Sequence, residues 1–360
     1  MKRRRRHGGD NPSLTGAAFA LILGVAILAG MAEAALRVLM PRWQEFYSGR
    51  FIELGHVPGH GPFAIGRAGF DGWFSQNNGD FRSHIRLNES GLRNDEPVGA
   101  ADGRIWVIGD SMTFGWGVER DQMYSSALAA AGYPTYNVAS PGTDLCGYQA
   151  LYDRMPAHVR PGAVVLGLIL ENDMANYDCA GRAAAAAARA APEPDEAMRL
   201  IDVKMALTHH SALYNFFAVA VKRVDVVNQA LQVVGLVNPT HVEHHHRTAS
   251  EMDSVVGKTA DAVLDLQRKL PEGTPFVVLV VPTRFEIRDQ DASSRQLRES
   301  VLVELARRGI ATVDPLPAFL AAGFAPTHFA HDGHWSPLGH KLAAEALTQW
   351  LAANVQETPQ

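Results

Sequence analysis

Five short apolar runs, separated by segments of helical length, dominate the hydrophobic pattern of residues 104–355. Runs of this kind, rich in β-branched residues, are typical of strands buried on both faces. The predicted strands are 104–108, 135–139, 163–170, 276–281 and 310–313. Helices are predicted at 123–131, after 142 to about 158, and at 248–270, 293–308 and 337–355, with a short one near Pro317. This alternation predicts an α/β domain over 104–355, whose five-stranded parallel sheet is covered on both faces.

A long apolar run near the N-terminus predicts a transmembrane helix at residues 14–40. Such a run can cross the hydrocarbon layer of a bilayer. Lys2 and four arginines precede it, which predicts a cytoplasmic tail at 1–13 and a periplasmic or otherwise extracytoplasmic domain after the helix. Ala32-Glu33-Ala34 also fits a signal-peptidase site, so a cleaved signal is the alternative. The length of the run, and its continuation past Ala34, favour a retained anchor.

Two segments depart from the strand–helix alternation. Residues 41–103 are polar and rich in glycine, which predicts a juxtamembrane linker and extended segments, with one strand at 83–87. Residues 174–247 predict a helical insertion. It could form a lid or a cap that leans on the membrane, but ordinary packing of its apolar stripe on the sheet domain is favoured.

Composition narrows the class of protein. The chain has 47% hydrophobic and 20% charged residues with a formal net charge of −5, so we expect no nucleic-acid partner. Two cysteines, Cys146 and Cys179, are too few for a disulfide scaffold but could form one bridge outside the cytoplasm. We hypothesise that this bridge pins the start of the insertion beside the active site. Two unpaired buried cysteines are the alternative.

Chemistry-bearing residues follow several of the predicted strands. Ser111 comes directly after the first strand, and His334 follows the fifth, in the sequence Asp332-Gly333-His334. A serine in this position often only caps a helix or turn. However, parallel strands end at one edge of a sheet, so Ser111 and His334 are expected to meet there. We predict Ser111 as nucleophile, His334 as general base and Asp332 as the carboxylate that orients the base.

An acyl-transfer site also needs donors for a developing oxyanion. The backbone N–H groups of Ser111 and Gly142 and the side-chain amide of Asn172 follow the first three strands. They are therefore the predicted oxyanion hole.

The motifs Gly109-Asp110-Ser111, Gly142, Asn172-Asp173 and Asp332-Gly333-His334 resemble, in order, the four blocks of the SGNH or GDSL hydrolase family. The resemblance implies a flavodoxin-like three-layer α/β/α sandwich and a Ser-His-Asp mechanism on ester bonds, with the roles assigned above. The last block differs, because its Asp stands two rather than three residues before the His. In this it resembles alginate-type polysaccharide O-acetyltransferases. The segment Asn88–Arg93 also resembles membrane-attached bacterial members.

These features predict a membrane-anchored serine esterase that acts on acyl esters, most simply acetyl esters, of carbohydrate or lipid. One alternative is an O-acyltransferase that acetylates an envelope polysaccharide, working with polysaccharide machinery. Another is a non-catalytic glycan-binding or assembly factor.

The predicted serine chemistry requires no cofactor, and we predict none. A metal is the weaker interpretation of two histidine clusters, 241–246 with His209 and His210, and His328 and His331 with the Asp-Gly-His motif. The first cluster has no strand scaffold, and serine chemistry already accounts for His334.

Overall fold

The computed structural model describes residues 14–76, 79–188, 206–222 and 249–355. They fall into two compact units. One contains residues up to 44 and the helical segments within 206–222, and the other contains the remaining described residues. The basic tail, the histidine cluster at 241–246 and most of the predicted insertion lie outside the described residues.

The strands are β1 (Ile52–Gly55), β2 (Phe63–Gly66), β3 (Asp71–Ser75), β4 (Arg82–Arg86), β5 (Ile105–Ile108), β6 (Thr135–Asn137), β7 (Ala163–Ile169), β8 (Phe276–Val281) and β9 (Ala311–Val313). The α-helices are α1 (Leu14–Leu39), α2 (Ser111–Phe114), α3 (Tyr124–Ala130), α4 (Leu145–Asp153), α5 (Cys179–Ala188), α6 (Ala212–Lys222), α7 (Ala249–Arg268), α8 (Arg284–Asp289), α9 (Ala292–Arg307), α10 (Leu316–Ala322), α11 (Phe324–Thr327) and α12 (Pro337–Asn354).

The predicted five-stranded parallel sheet is confirmed, with the spatial order β6-β5-β7-β8-β9. Side chains alternate between its two faces because the strand repeat is two residues. Along β5, Trp106 and Ile108 join the core formed with α4, α7 and α9. Ile105 and Val107 join the core formed with α3, α10 and α12. The three-layer α/β/α fold follows from these two buried faces.

Residues 45–103 form two antiparallel hairpins, β1–β2 and β3–β4, where the sequence indicated a single strand. Phe63 and Ile65 of β2 enter the core that contains α4. Phe74 of β3 and Phe81, just before β4, pack with Phe114 of α2. The β3–β4 hairpin therefore lies against the segment that follows β5.

Helix ends differ modestly from the predicted ones. The helix expected to reach about residue 158 ends at Asp153, three residues before Pro156. Proline disfavours helical backbone at the preceding residue, which accounts for an end ahead of it. The additional helix α8 begins at Arg284, capped by the Thr283 hydroxyl, which accepts the backbone N–H of Glu286.

The other unit contains α1 and α6. Residues Gly16–Leu39 of α1 are long and apolar enough to cross a membrane. Glu33, an acidic residue within α1, accepts hydrogen bonds from the Ser211 hydroxyl and from the backbone N–H groups of Ala212 and Leu213, at 2.8–2.9 Å. The carboxylate thus caps the N-terminus of α6, which fixes α6 to α1.

Candidate active site

Ser111 lies at the first residue of α2, immediately after β5, and is 8% exposed. Asp110, not Ser111, caps this helix, since the Asp110 carboxylate accepts the backbone N–H of Met112 at 3.0 Å. A Cβ at Gly109 would lie 2.3 Å from Thr113 Oγ1, so only glycine fits before the turn. The Ser111 hydroxyl is therefore left without a capping role, at the carboxyl edge of the sheet.

His334 reaches Ser111 from the loop that precedes α12. Its Nε2 lies 2.8 Å from Ser111 Oγ, and its Nδ1 contacts Asp332 Oδ1. A carboxylate can only accept, so Nδ1 carries the ring hydrogen and Nε2 is left to accept the Ser111 O–H. The structure thus brings together the three residues predicted as a triad, in the order nucleophile, base and carboxylate.

The electrostatics keep Asp332 charged. Burial alone would raise the pKa of Asp332, but hydrogen bonds and the nearby charge of His334 outweigh it and hold the pKa below its usual range. The backbone N–H of His334 also donates to Asp332 Oδ1, at 3.4 Å. Asp332 therefore remains an acceptor for the imidazole at neutral pH.

The predicted oxyanion residues lie on neighbouring strand ends. The Ser140 N–H donates to Gly109 O at 3.1 Å, which joins the loop carrying Gly142 to the end of β5. Asn172 Nδ2 donates to Asp110 Oδ2 at 3.0 Å. One amide hydrogen of Asn172 is used in this way, and the amide carries a second.

Two buried carboxyl groups lie behind Ser111. Asp173 accepts the hydroxyl of Tyr148 and the backbone N–H of Ile169, at 2.8–3.1 Å. Burial, reinforced by the negative charge of Asp110, raises the pKa of Asp173 well above its usual range. Burial also raises the pKa of Asp110. Two carboxyl groups buried this close together resist being ionised at the same time. Through their hydrogen bonds, Asp110 and Asp173 shape the loops that present Ser111 and Asn172.

Arg93, the last residue of the segment Asn88–Arg93, was not predicted to take part in the site. Arg93 is 1% exposed, and its guanidinium donates to four backbone oxygens. The acceptors are His84 O in β4, Phe114 O at the end of α2, and Gly115 O and Val118 O in the segment after it. Burial lowers the pKa of Arg93 to about 10, so it stays charged at neutral pH. Arg93 therefore holds the backbone that follows the nucleophile.

Arg284 was likewise not predicted from the sequence as a residue of the site. It pairs with Glu171 at 2.9 Å, and its Nη1 donates to Asp332 O at 3.3 Å. Gly333 has φ +81°, and a Cβ there would lie 1.9 Å from Arg284 Nη1. The Asp-Gly-His spacing was visible in the sequence, but nothing local indicated that an arginine packs on this glycine.

Trp116 lies next to the imidazole of His334. Its ring centroid is 5.7 Å from that of His334, and it contacts Phe74 of β3 at 4.5 Å. The imidazole therefore has an aromatic neighbour that is itself packed against the β3–β4 hairpin.

Cys146 and Cys179 form a disulfide with a Cα–Cα distance of 5.3 Å. It joins the first turn of α4 to the first residue of α5. Since α4 follows the loop that carries Gly142, the bridge ties α5 close to that loop.

The histidines proposed as alternative metal ligands separate in the structure. His328 is buried against Phe319 and Phe324, whereas His331 contacts Asp80. Burial lowers the pKa of His328 to about 3. Across the described ranges, no group of three or more His, Cys, Asp or Glu side chains is arranged to hold a metal ion.

A parallel sheet of this order, with a serine after its second strand in space and an Asp-x-His motif before the last helix, is consistent with an SGNH-like α/β fold. Residues 242–360 match the family model described as "SGNH hydrolase-like domain, acetyltransferase AlgX". This C-terminal part of the chain therefore resembles the SGNH hydrolase-like domain of the acetyltransferase AlgX. A search of the curated proteins found no match.

Solved structures that resemble the chain include a lipase/acylhydrolase from Enterococcus faecalis, with TM-score 0.40 and 12% identity over 71% of this chain and 100% of that one. A lipolytic protein of the G-D-S-L family from Veillonella parvula has TM-score 0.38 and 12% identity, covering 69% of this chain and 98% of its own. A carbohydrate esterase family 2 enzyme from Corynascus thermopiles has TM-score 0.38 and 17% identity, covering 73% and 68%. Similarity at this level says nothing about substrate.

Proposed function

We propose that this chain is a serine esterase that cleaves acyl esters, acetyl esters in particular, of carbohydrate or lipid through Ser111, His334 and Asp332. The observation that carries the proposal is the 2.8 Å contact between His334 Nε2 and Ser111 Oγ, with Asp332 on the other ring nitrogen. A serine hydroxyl needs such a base to become a nucleophile.

In the first step, His334 Nε2 takes the Ser111 proton as Oγ attacks the ester carbonyl carbon. The oxyanion that forms is stabilised by the backbone N–H groups of Ser111 and Gly142 and by the second hydrogen of the Asn172 amide. The intermediate collapses, the C–O bond to the alcohol breaks, and the departing oxygen takes the proton from His334. Ser111 is left as an acyl ester.

In the second step, an acceptor hydroxyl gives its proton to His334 and attacks the acyl carbon, which releases Ser111 after the proton returns to Oγ. With water as acceptor the reaction is hydrolysis. The second candidate function is O-acetyl transfer to an exported polysaccharide. It is favoured by the match of residues 242–360, which include Asp332 and His334, to the AlgX domain. The two functions differ in how well the site excludes water.

We further propose that α1 is a retained anchor, with its N-terminus in the cytoplasm and the sheet domain outside. The Ala32-Glu33-Ala34 sequence lies inside α1, and Glu33 caps α6. Cleavage there would sever the anchor from the segment it holds. The disulfide also fits an oxidising compartment.

The test uses the full-length chain in detergent micelles with p-nitrophenyl acetate, with and without a polysaccharide acceptor. We expect turnover that Ser111→Ala reduces by about four orders of magnitude or more. Ser126→Ala, which removes an exposed hydroxyl on α3, is the matched control and should retain parental rates.

Faster release with acceptor, together with acetylated polysaccharide, would establish the transferase. Equal rates for the parent and Ser111→Ala would refute the proposal and leave the glycan-binding alternative.

A further inference from the structure

Two residues between β3 and β4, Gln76 and Asp80, contact the loop that carries His334. Gln76, directly after β3, donates its side-chain amide to Asp332 Oδ2. Asp80, two residues before β4, accepts the backbone N–H groups of His331 and Asp332 at 2.9 and 2.7 Å. These contacts join residues about 250 positions apart, and Gln76 and Asp80 lie outside all four motifs quoted from the sequence.

The contact between Asp80 and this loop is buried and consists of several hydrogen bonds. The Asp80 side chain is 6% exposed, and its second oxygen lies 2.7 Å from His331 Nδ1. Burial alone would raise the pKa of Asp80, but the hydrogen bonds from His331 and Asp332 hold it below its usual range. Phe81 packs on Phe329, with ring centroids 5.0 Å apart. The hairpin thus contacts both the backbone and a side chain of the loop.

The two oxygens of Asp332 are used differently. Oδ1 contacts His334 Nδ1, and Oδ2 receives the amide of Gln76. A carboxylate held by only one of these contacts could rotate about its Cβ–Cγ bond. With a donor on each oxygen, the plane of the carboxylate is set by two points, and Oδ1 is kept facing the imidazole.

The backbone of the loop needs a similar support. Residues 329–333 contain no strand or helix, apart from the bridge of His328 to Trp335 that closes the loop. One oxygen of Asp80, Oδ2, accepts both of the successive N–H groups of His331 and Asp332 there. Small displacements of a catalytic group can cost about 100-fold in rate, so such supports affect catalysis directly.

We propose that Gln76 and Asp80 are positioning residues, which act through Asp332 to hold His334 against Ser111. The proposal rests on the proposed function, since it requires the triad to work. The hairpin ahead of the parallel sheet then positions the catalytic residues, although neither Gln76 nor Asp80 belongs to the four sequence motifs.

The first experiment measures p-nitrophenyl acetate turnover by the full-length chain carrying Gln76→Met, which keeps the volume but removes the donor, or Asp80→Asn. We expect kcat to fall by about 10- to 100-fold in each, with KM within about twofold, because neither residue reaches the substrate. Asp71→Asn is the matched control. It makes the same change on the same hairpin, at an exposed carboxylate that contacts His84.

The second experiment repeats Gln76→Met in the Asp332→Ala background. A residue that acts through Asp332 should cause no further loss there, whereas general damage to the fold would add to the loss. Thermal unfolding of each variant accompanies the kinetics. If Asp80→Asn does not fold, the proposal is decided by Gln76→Met alone, measured in the parent and in the Asp332→Ala background.

The proposal is overturned if Gln76→Met matches Asp71→Asn in kcat while Ser111→Ala is inactive, or if its loss persists in full without Asp332. If Ser111→Ala is as active as the parent, the proposed function itself fails, which is a separate result.

Discussion

The nucleophile and the base of this site are supported in opposite ways. Ser111 stands on the end of a central strand, where Asp110 caps its helix and Thr113 packs on Gly109. The Arg93 guanidinium fixes the backbone that follows. His334 stands on a loop held largely from outside, by Gln76, Asp80 and Arg284. Ser111 is thus placed mainly by the end of a sheet strand and its own turn, whereas the loop of His334 is held mainly by side chains from the β3–β4 hairpin and from α8.

This difference separates two kinds of variant. Changes around Ser111 should disturb the fold first, because that segment is part of the buried core. Changes around His334 should disturb the chemistry first, because the loop can move while the sheet remains intact. Arg93, which joins the hairpin to the segment after Ser111, belongs to the first kind.

The largest expected effect on stability is that of Arg93→Met. The substitution leaves four buried backbone oxygens without their donor, and we expect a loss of about 3–5 kcal/mol in the free energy of unfolding. Urea denaturation measures it. Arg86→Met, on an exposed arginine of β4, is the control and should change stability by less than about 0.5 kcal/mol. Similar free energies of unfolding for the two variants would show that the hydrogen bonds of Arg93 do not stabilise the fold.

Gly109→Ala tests the nucleophile side by overpacking. The added Cβ would meet Thr113 Oγ1 at 2.3 Å and Gly167 O at 3.2 Å. We expect a loss of about 1–3 kcal/mol in unfolding free energy, by the same denaturation. Gly99→Ala places its Cβ in open space and should be neutral. An unchanged midpoint for Gly109→Ala would mean that the turn before Ser111 is not closely packed.

Gly333→Ala makes the equivalent change on the base side. It strains a φ of +81° and pushes on Arg284, and we expect activity to fall about tenfold. The control is Gly309→Ala, at φ +74° in open space, which carries the same backbone strain of about 1–2 kcal/mol away from the site. Steady-state kinetics on both variants would show whether the loss of activity follows strain or position. Equal activities would contradict the comparison.

The smallest expected effect is a pH dependence of stability. His340 lies where α12 meets α3, and its Nδ1 accepts the Tyr124 N–H at 3.3 Å. Burial, with the positive charges of Arg93 and His334, lowers its pKa to about 3. In the unfolded chain, His340 binds a proton near pH 6.5, whereas in the folded chain it binds one only near pH 3. The free energy of unfolding therefore falls as the pH drops through this window.

Between about pH 7.5 and 6.0 this linkage amounts to about 0.8 kcal/mol for one histidine. Buried His328 adds to it in the same direction. Denaturation of the parent and of His340→Gln at the two pH values should show a smaller decrease in the variant. An equal decrease would mean that His340 is protonated in the folded chain.

Much of this protein was determined by its sequence. The apolar runs define the five strands, because burial on both faces requires continuous apolar segments, and the order of strands and helices defines the parallel sheet. Ser111, His334 and Asp332 could be named from their motifs, since parallel strands end at one edge. The apolar helix at the N-terminus was equally visible, because its signal lies in consecutive residues.

Tertiary structure alone decided what holds these residues in place. The contact of Gln76 with Asp332 joins positions 256 residues apart, and no periodicity or motif encodes such a pair. The same holds for Arg93 and its backbone acceptors, and for the choice between a disulfide and two unpaired cysteines. Local patterns report which face of an element is buried, whereas these contacts depend on which elements the completed fold places side by side.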